Sequence, residues 1–169
     1  MLDLALKDAV AIITGGSDGL GRAAAQKLAS EGARVAICAL DDPSLPAAKK
    51  EIEEAAGGEV IAIAADVSDV AQASHFVRAA RDHFGTIDIL VNNAGGPPST
   101  SFLEIDDKLW EHGFRLNLMS TIAMTREAVP TMKDKRTDRP VNAGRMDTTI
   151  DPQSSSMATS ECFDLAVKE

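Results

Sequence analysis

The sequence contains no tyrosine, one tryptophan and five phenylalanines among its 169 residues. It has only two cysteines, Cys38 and Cys162, and they lie too far apart to form the spacing of a zinc site. We expect both to be reduced thiols of a cytoplasmic protein, and we predict no metal. No apolar run approaches the ~20 residues of a membrane-spanning helix. The N-terminus, MLDLALKDAV, also lacks the basic start of a signal peptide. We therefore expect no membrane partner.

Positive charge is scarce as well. Lysine and arginine total 17 against 26 acidic residues, which gives a formal net charge of -9. We expect no nucleic-acid partner, because binding a phosphate backbone requires many cations. A single small anionic ligand is compatible with this charge, since the backbone dipoles at a helix N-terminus can bind it. The length suits one domain, and the 44% apolar content is typical of a globular protein.

Apolar strand-like runs alternate with helical patterns along the chain. The runs are AVAIIT (9–14), ARVAICAL (33–40), EVIAIAADV (59–67) and IDILVNNAG (87–95), and RPVNAG (139–144) is a possible fifth strand. Helical patterns follow the first three, with Ser68 or Asp69 as a start and Gly85 as a stop, and a long helix is predicted from about Asp106 to Val129, ahead of Pro130. The alternation predicts an α/β fold: a Rossmann-type doubly wound parallel sheet in a three-layer α/β/α arrangement.

The regular pattern fades in the last part of the chain. We interpret residues 1–133 as a dinucleotide-binding Rossmann domain and residues 134–169, which are polar and poorly periodic, as a divergent or truncated tail of the same domain. On this interpretation the sheet ends after its fourth or fifth strand. A frameshift after about Lys133 is one hypothesis for the change.

The segment TGGSDGLG (14–21) joins the first strand to the first helix. Gly15 permits a sharp turn, Gly19 removes a Cβ where a ligand approaches, and Gly21 lets the helix pack closely. The free N–H groups and positive dipole end of the helix suit a pyrophosphate. A glycine-rich connection without a ligand is the alternative.

Taken in order, these segments and three later motifs resemble the short-chain dehydrogenase/reductase family over about residues 4–133. TGGSDGLG resembles its cofactor loop, and ADV (65–67) carries an Asp where the family contacts adenine. VNNAG (91–95) resembles the segment that braces the sheet, and RLNLMS (115–120) carries Asn117, where the family has an Asn that holds the active-site water network. The resemblance implies hydride transfer between NAD or NADP and an alcohol or carbonyl. The substrate is not indicated.

The resemblance also implies the site residues. Asn117 belongs to the catalytic group, and the cofactor contacts are Gly15, Ser17, Asp18, Gly19, Leu20, Gly21, Asp41, Asp66, Val67, Asn93, Ala94 and Gly95. Alternatives remain open for several of them. Asp66 could cap the next helix with Ser68, Asn92 and Asn93 could satisfy backbone groups at the strand end, and Asn117 could be a satisfied buried amide.

The choice between NAD and NADP depends on charge near the end of the second strand, ICALDDP. An acid there hydrogen-bonds the ribose hydroxyls, whereas an arginine favours a 2′-phosphate. Asp41 and Asp42 are within reach, Asp18 adds negative charge, and Arg22 is the nearby cation in sequence. NAD is therefore favoured over NADP.

The family's catalytic residues are a serine and, about thirteen residues later, a Tyr-x-x-x-Lys that transfers the proton. Their positions fall on Arg145, on Ala158 or Thr159, and on Cys162 or Phe163. Because the sequence has no tyrosine, no shift of the alignment restores the pattern. We interpret the chain as resembling an NAD(P)-dependent oxidoreductase of doubtful activity. The alternatives are a non-catalytic nucleotide-binding or subunit-interaction module and an inactive fragment. Self-association through helix 106–129 is possible on the same resemblance.

Overall fold

The computed structural model describes residues 6–41, 43–94, 104–135 and 139–142. Five strands alternate with helices: β1 Val10–Thr14, β2 Arg34–Ala39, β3 Val60–Ala64, β4 Ile89–Asn92 and β5 Arg139–Asn142. The helices are α1 Gly19–Ser30, α2 Ser44–Ala56, α3 Val70–Phe84, α4 Asp107–Phe114 and α5 Ser120–Lys135, with a π-helical segment, Arg115–Met119, between α4 and α5.

The strands form one parallel sheet in the order β3-β2-β1-β4-β5. The chain proceeds from β1 outward through β2 to β3, and then returns to place β4 on the other side of β1. This reversal of strand order makes the carboxyl ends of β1 and β4 the topological switch point, where ligands bind in doubly wound folds. The predicted Rossmann-type α/β fold is confirmed, and the possible fifth strand is present.

Each face of the sheet has its own hydrophobic core. Alternate residues of β1 point to opposite faces, so that Val10 and Ile12 pack with α3 and α5, while Ala11 and Ile13 pack with α1 and α2. All five residues of β1 are buried. The central strand is therefore covered on both faces, which is why its sequence is a continuous apolar run rather than an alternating one.

Helix α3 begins and ends where the sequence predicted. Asp69 is its N-cap, and the side chain accepts hydrogen bonds from the backbone N–H groups of Ala71 and Gln72. These hydrogen bonds, the one from the Ala71 N–H first, lower the pKa of the Asp69 carboxyl. Gly85 ends the helix with a φ of 80°, in the left-handed region that glycine adopts without strain.

The predicted helix over about 106–129 is wrong in two respects. A π-helical segment interrupts it, and its last part, α5, runs through Pro130 to Lys135 instead of ending ahead of the proline. A proline within a helix removes one backbone hydrogen bond and costs roughly 3 kcal/mol. Here Pro130 is exposed, so water can reach the backbone on that side, while Ala128 and Met132 are fully buried and hold the helix on the core at either side.

Within the part of the chain that the structure describes, no helix is both long and apolar enough to cross a membrane. The same residues contain no group of three or more His, Cys, Asp or Glu side chains placed to hold a metal ion.

Candidate cofactor site

The loop between β1 and α1 lies at the switch point of the sheet. Gly15 and Gly19 have φ values of 61° and 55°, so both positions favour glycine. A Cβ on Gly15 would lie 2.4 Å from the carbonyl oxygen of Asn93, whereas a Cβ on Gly19 would meet nothing within 4 Å. The space beside Gly19 is therefore open for a ligand, as its predicted role requires.

Gly21 is needed for close packing, but not against the sheet itself. A Cβ there would lie 2.1 Å from the Gly15 carbonyl oxygen and 2.6 Å from the Asn93 amide nitrogen. The first turn of α1 consequently rests on the loop that precedes it. This contact fixes the position of the helix N-terminus relative to the end of β1.

Gly16 is a structural position of the loop that the sequence alone did not indicate. Its N–H donates to the Cys38 carbonyl oxygen at 3.0 Å, and a Cβ would lie 2.6 Å from the Cβ of Ile37. Gly16 thus holds the loop against the end of β2. The available signal was the second glycine of the TGG triplet, which the spacing of the other three glycines obscured.

The N-terminus of α1 keeps its backbone donors free of side-chain caps. Asp18 occupies the N-cap position, yet its side chain makes no capping hydrogen bond and is 85% exposed. The first intrahelical hydrogen bond is donated by Arg22, so the N–H groups of Gly19, Leu20 and Gly21 precede it. Such free donors, together with the helix dipole, bind phosphate groups.

Leu20 and Ser17 lie beside these donors. Leu20 is 46% exposed, and the residues of α1 that face the core are Gly21, Ala24, Ala25 and Ala29. Ser17 is half-buried in the loop. We call the surface formed by residues 15–21 and the end of β4 the cradle. Ser17 and Leu20 lie at this surface rather than in the core, where they could contact a ligand.

Asn93 joins the end of β4 to the start of the loop. Its N–H donates to the Thr14 hydroxyl at 2.8 Å, and its amide nitrogen donates to the carbonyl oxygens of Thr14 at 3.1 Å and Gly15 at 3.5 Å. These hydrogen bonds match the alternative in which the asparagines after β4 satisfy backbone groups at the strand end. Asn93 therefore shapes the cradle by bracing the loop, and Asn92 next to it is buried.

Asp66 and Val67 follow β3, and their side chains lie in different surroundings. Asp66 is half-buried, and its Oδ1 accepts from both the N–H and the hydroxyl of Ser68, at 2.9 and 2.7 Å. The helix cap itself is Asp69, so Asp66 forms a local turn. Val67 is 8% exposed and packs in the core, which leaves its backbone as the part that can face a ligand.

The remaining predicted contacts lie at the strand ends. Asp41 is exposed just after β2, beside Leu40, which is 61% exposed, and Ala94 is half-buried after β4. Gly95, Asp42 and the segment 143–169, which contains the positions predicted for the serine, tyrosine and lysine, lie outside the described residues.

Asn117 lies in the π-helical segment, which sequence reasoning treated as ordinary helix. Its amide nitrogen donates to the Gly113 carbonyl oxygen at 3.0 Å, and its backbone carbonyl accepts from the Thr121 hydroxyl at 2.8 Å. Its Oδ1 is buried and has no hydrogen-bond partner among the described residues. A buried acceptor of this kind costs about 1–3 kcal/mol when unsatisfied, and π-helical turns often mark functional sites. The amide oxygen is therefore able to accept a hydrogen bond from water or a ligand.

Cys38 lies fully buried at the end of β2, beneath the loop. Burial raises the pKa of its thiol, and a hydrogen bond with the Gly15 backbone lowers it by less. The thiol therefore stays protonated and acts as a small apolar side chain.

An open groove of about 800 Å³ lies elsewhere, between the start of α3 and the α4–π-helical region. Its lining residues are Ser68, Asp69, Val70, Lys108, Glu111, His112, Arg115 and Met119. None of them belongs to the glycine loop, and their charges are of both signs. This groove is therefore separate from the glycine loop.

The sequence and the fold were compared with those of known proteins. The sequence model of the family described as short chain dehydrogenase matches residues 9–153. The chain belongs to this family. The matched residues include the loop, the three later motifs and β5, and they continue past residue 133.

Three relatives illustrate the match. The putative ketoacyl reductase 1 of the granaticin polyketide synthase from Streptomyces violaceoruber is 42% identical over 120 residues, which are 71% of this chain and 44% of the relative. The L-sorbose reductase from Gluconobacter frateurii, solved with NADPH and L-sorbose, has a TM-score of 0.74 and 34% identity over 79% of this chain and 51% of that one. A short-chain dehydrogenase/reductase from Burkholderia phymatum in complex with NAD has a TM-score of 0.74 and 33% identity, and the match covers 84% of this chain and 50% of that one. The chain spans about half the length of the relatives it matches.

Proposed function

We propose that this chain binds the adenosine diphosphate half of NAD or NADP in the cradle of β1, α1 and β4, as a member of an NAD(P)-dependent oxidoreductase family acting on alcohols or carbonyls. The observation that carries the proposal is the uncapped N-terminus of α1, held by glycine contacts at the switch point of the sheet. Relatives solved with NADPH and with NAD support the same ligand class.

Different residues of the cradle are proposed to contact different parts of the ligand. The N–H groups of Gly19, Leu20 and Gly21 face the pyrophosphate, which is attracted by the positive end of the helix dipole. Asp66, which follows β3, would contact the adenine. Asp41, which follows β2, would accept hydrogen bonds from the ribose hydroxyls. The other contacts proposed on the family's pattern are Gly15, Ser17, Asp18, Val67, Asn93, Ala94 and Gly95.

When bound, the nicotinamide would supply or accept the hydride, and the residues of the cradle would bind and orient the cofactor. Asn117 contributes a buried amide whose nitrogen donates to Gly113 and whose Oδ1, unpartnered among the described residues, can accept a hydrogen bond from a bound group. On the family's pattern the serine position falls at or near Arg145, the tyrosine position on Ala158 or Thr159, and the lysine position on Cys162 or Phe163, and none of these is the family's residue type. This substitution favours a second candidate function, in which the chain binds the nucleotide without turning over a substrate.

A fluorescence titration separates these possibilities. NADH or NADPH added to the 169-residue chain should change its emission on binding. Gly19→Asn should weaken binding by filling the open space beside Gly19, and asparagine is a residue that tolerates the positive φ of this position. Circular dichroism of the variant checks that its fold is retained. Failure of both cofactors to bind at millimolar concentration would remove the proposed function. Ketone reduction that is lost in Asn117→Ala would favour the oxidoreductase, and its absence would favour nucleotide binding without turnover.

Two further proposals concern the protein's surroundings. We place it in the cytoplasm on the prediction of reduced thiols, and we propose self-association through the helical region 106–129. Exposed apolar side chains in this region support the second proposal: Phe114 is 56% exposed, Leu118 51% and Met119 40%. Light scattering of the wild type and of Leu118→Glu tests it, since the variant should be monomeric.

A further inference from the structure

Side-chain donors accompany the π-helical segment between α4 and α5. The widened turn is marked by the N–H of Ser120, which donates to the Arg115 carbonyl oxygen five residues earlier. Three side chains in the same segment donate to a carbonyl oxygen four residues earlier. They are Asn117 Nδ2 to Gly113 at 3.0 Å, Ser120 Oγ to Leu116, and Thr121 Oγ1 to Asn117 at 2.8 Å.

Packing on the core explains why this helical region needs a widened turn. Leu116 and Met124 pack against the same hydrophobic core, and Met124 is fully buried. Eight residues of regular α-helix turn by about 80° more than two full turns, so a regular helix would point Leu116 away from Met124 by that angle. One extra residue taken up in a π-turn removes most of the difference. The core therefore requires a widened turn in this region, but it does not specify the residue at which the turn lies.

The hydroxyls of Ser120 and Thr121 supply this missing specification. Ser120 is fully buried, so its hydroxyl is shielded from water and donates to the backbone instead. The Thr121 hydroxyl donates to the carbonyl oxygen of Asn117 itself. Hydroxyls bonded to the carbonyl four residues earlier compete with the backbone ladder and bend helices. Both donors lie within one turn after Asn117 and favour the widened turn at this residue over a neighbouring one.

The widened turn determines which atoms of Asn117 are engaged. Its Nδ2 donates to Gly113, its backbone carbonyl accepts from Thr121, and its buried Oδ1 has no partner among the described residues. We propose that Ser120 and Thr121 are positioning residues that hold the widened turn at Asn117 and thereby keep its Oδ1 available to a bound group. The use of this oxygen by a bound group rests on the proposed function, whereas the placement of the turn does not.

Removing either hydroxyl should let the widened turn move along the helix. Thr121→Val has nearly the same shape as threonine and deletes the hydroxyl. A scalar coupling across the hydrogen bond from the Ser120 nitrogen to the Arg115 carbonyl carbon, measured by NMR, reports the π-turn directly. In Thr121→Val this coupling should be lost, or be replaced by one to Leu116 four residues earlier. The side-chain amide signal of Asn117 should shift as well, because its Nδ2 leaves the Gly113 carbonyl when the turn moves.

The experiment uses the 169-residue chain without added ligand, as the wild type and four variants. Ser120→Ala removes the second hydroxyl and should act like Thr121→Val. Thr121→Ser keeps the hydroxyl and should restore both wild-type signals. Thr125→Val is the matched control, since it makes the same change at a half-buried threonine one turn further along α5, and it should leave both signals unchanged. A purely structural role of the hydroxyls would lower stability in urea without moving the Asn117 signal.

The outcomes separate this proposal from the function on which its meaning rests. A wild type in which Ser120 couples to Leu116 instead of Arg115 would overturn the proposal. Wild-type signals in both variants that lack a hydroxyl would also overturn it, as would equal changes in the Thr125→Val control. NADH binding is titrated separately, and its absence would overturn the proposed function while leaving the placement of the turn at Asn117 standing.

Discussion

Replacing Asn93 by alanine tests the bracing of the cofactor loop most directly. The change removes the amide nitrogen that donates to the carbonyl oxygens of Thr14 at 3.1 Å and Gly15 at 3.5 Å. Thr14 is fully buried, so water does not readily replace the lost donor. The backbone hydrogen bond from the Asn93 N–H to the Thr14 hydroxyl remains.

The expected magnitude follows from these distances. Leaving a buried acceptor without its partner costs about 1–3 kcal/mol, and the longer contact to Gly15 adds little. We therefore expect Asn93→Ala to lower the free energy of unfolding by about 2 kcal/mol. For a chain of this length the corresponding fall in the melting temperature is about 4–8 °C. NADH binding should weaken further, since the loop loses its attachment to β4.

Urea denaturation followed by circular dichroism measures the first effect, and an NADH titration measures the second. Asn93→Asp is the informative companion, because it preserves size and shape but places a carboxylate oxygen where the donor was, against two carbonyl oxygens. It should destabilise the protein at least as much as alanine. An Asn93→Asp protein as stable as the wild type would refute the hydrogen-bonding argument.

Two other perturbations probe the glycines and the helix cap. Gly21→Ala should destabilise the fold by roughly 1–3 kcal/mol through overpacking, because the added carbon meets the Gly15 carbonyl and the Asn93 amide. Gly57→Ala, at a φ of 66° with open space around it, should cost only about 1 kcal/mol, and equal losses in urea denaturation would contradict the packing argument. Hydrogen bonds depress the Asp69 pKa in the folded state, so its contribution to stability is present above the usual aspartate pKa of about 4 and is lost as pH falls through the folded value. Asp69→Asn keeps a capping oxygen but should show a shallower loss of stability in acid, and an unchanged pH profile would argue against this linkage.

Local features of the fold could be predicted from the sequence because they depend on neighbouring residues. The apolar runs located the strands, and Asp69 and Gly85 located the ends of α3. The glycine spacing located the turn at Gly15, where φ is positive. Each signal lies within a few residues of the structure that it specifies.

The errors have a common physical origin. The π-helical segment and the passage of α5 through Pro130 depend on how the helix packs on the core, where Ala128 and Met132 are buried. The role of Gly16 depends on Ile37 and Cys38 in the neighbouring strand. Helix propensity and glycine spacing carry no information about such contacts.

The sequence by itself determined the elements, the Rossmann-type class and the existence of a cradle, since periodicity and backbone freedom are local properties. Only the tertiary structure decided which atoms form the cradle. Asn93 reaches Thr14 across 79 positions and Glu51 reaches Arg22 across 29, because parallel neighbours are joined by helical crossovers that separate contacting residues widely in sequence. The same crossovers place Glu51 of α2 within 3.2 Å of Arg22 of α1, a contact that no pattern within either helix predicts.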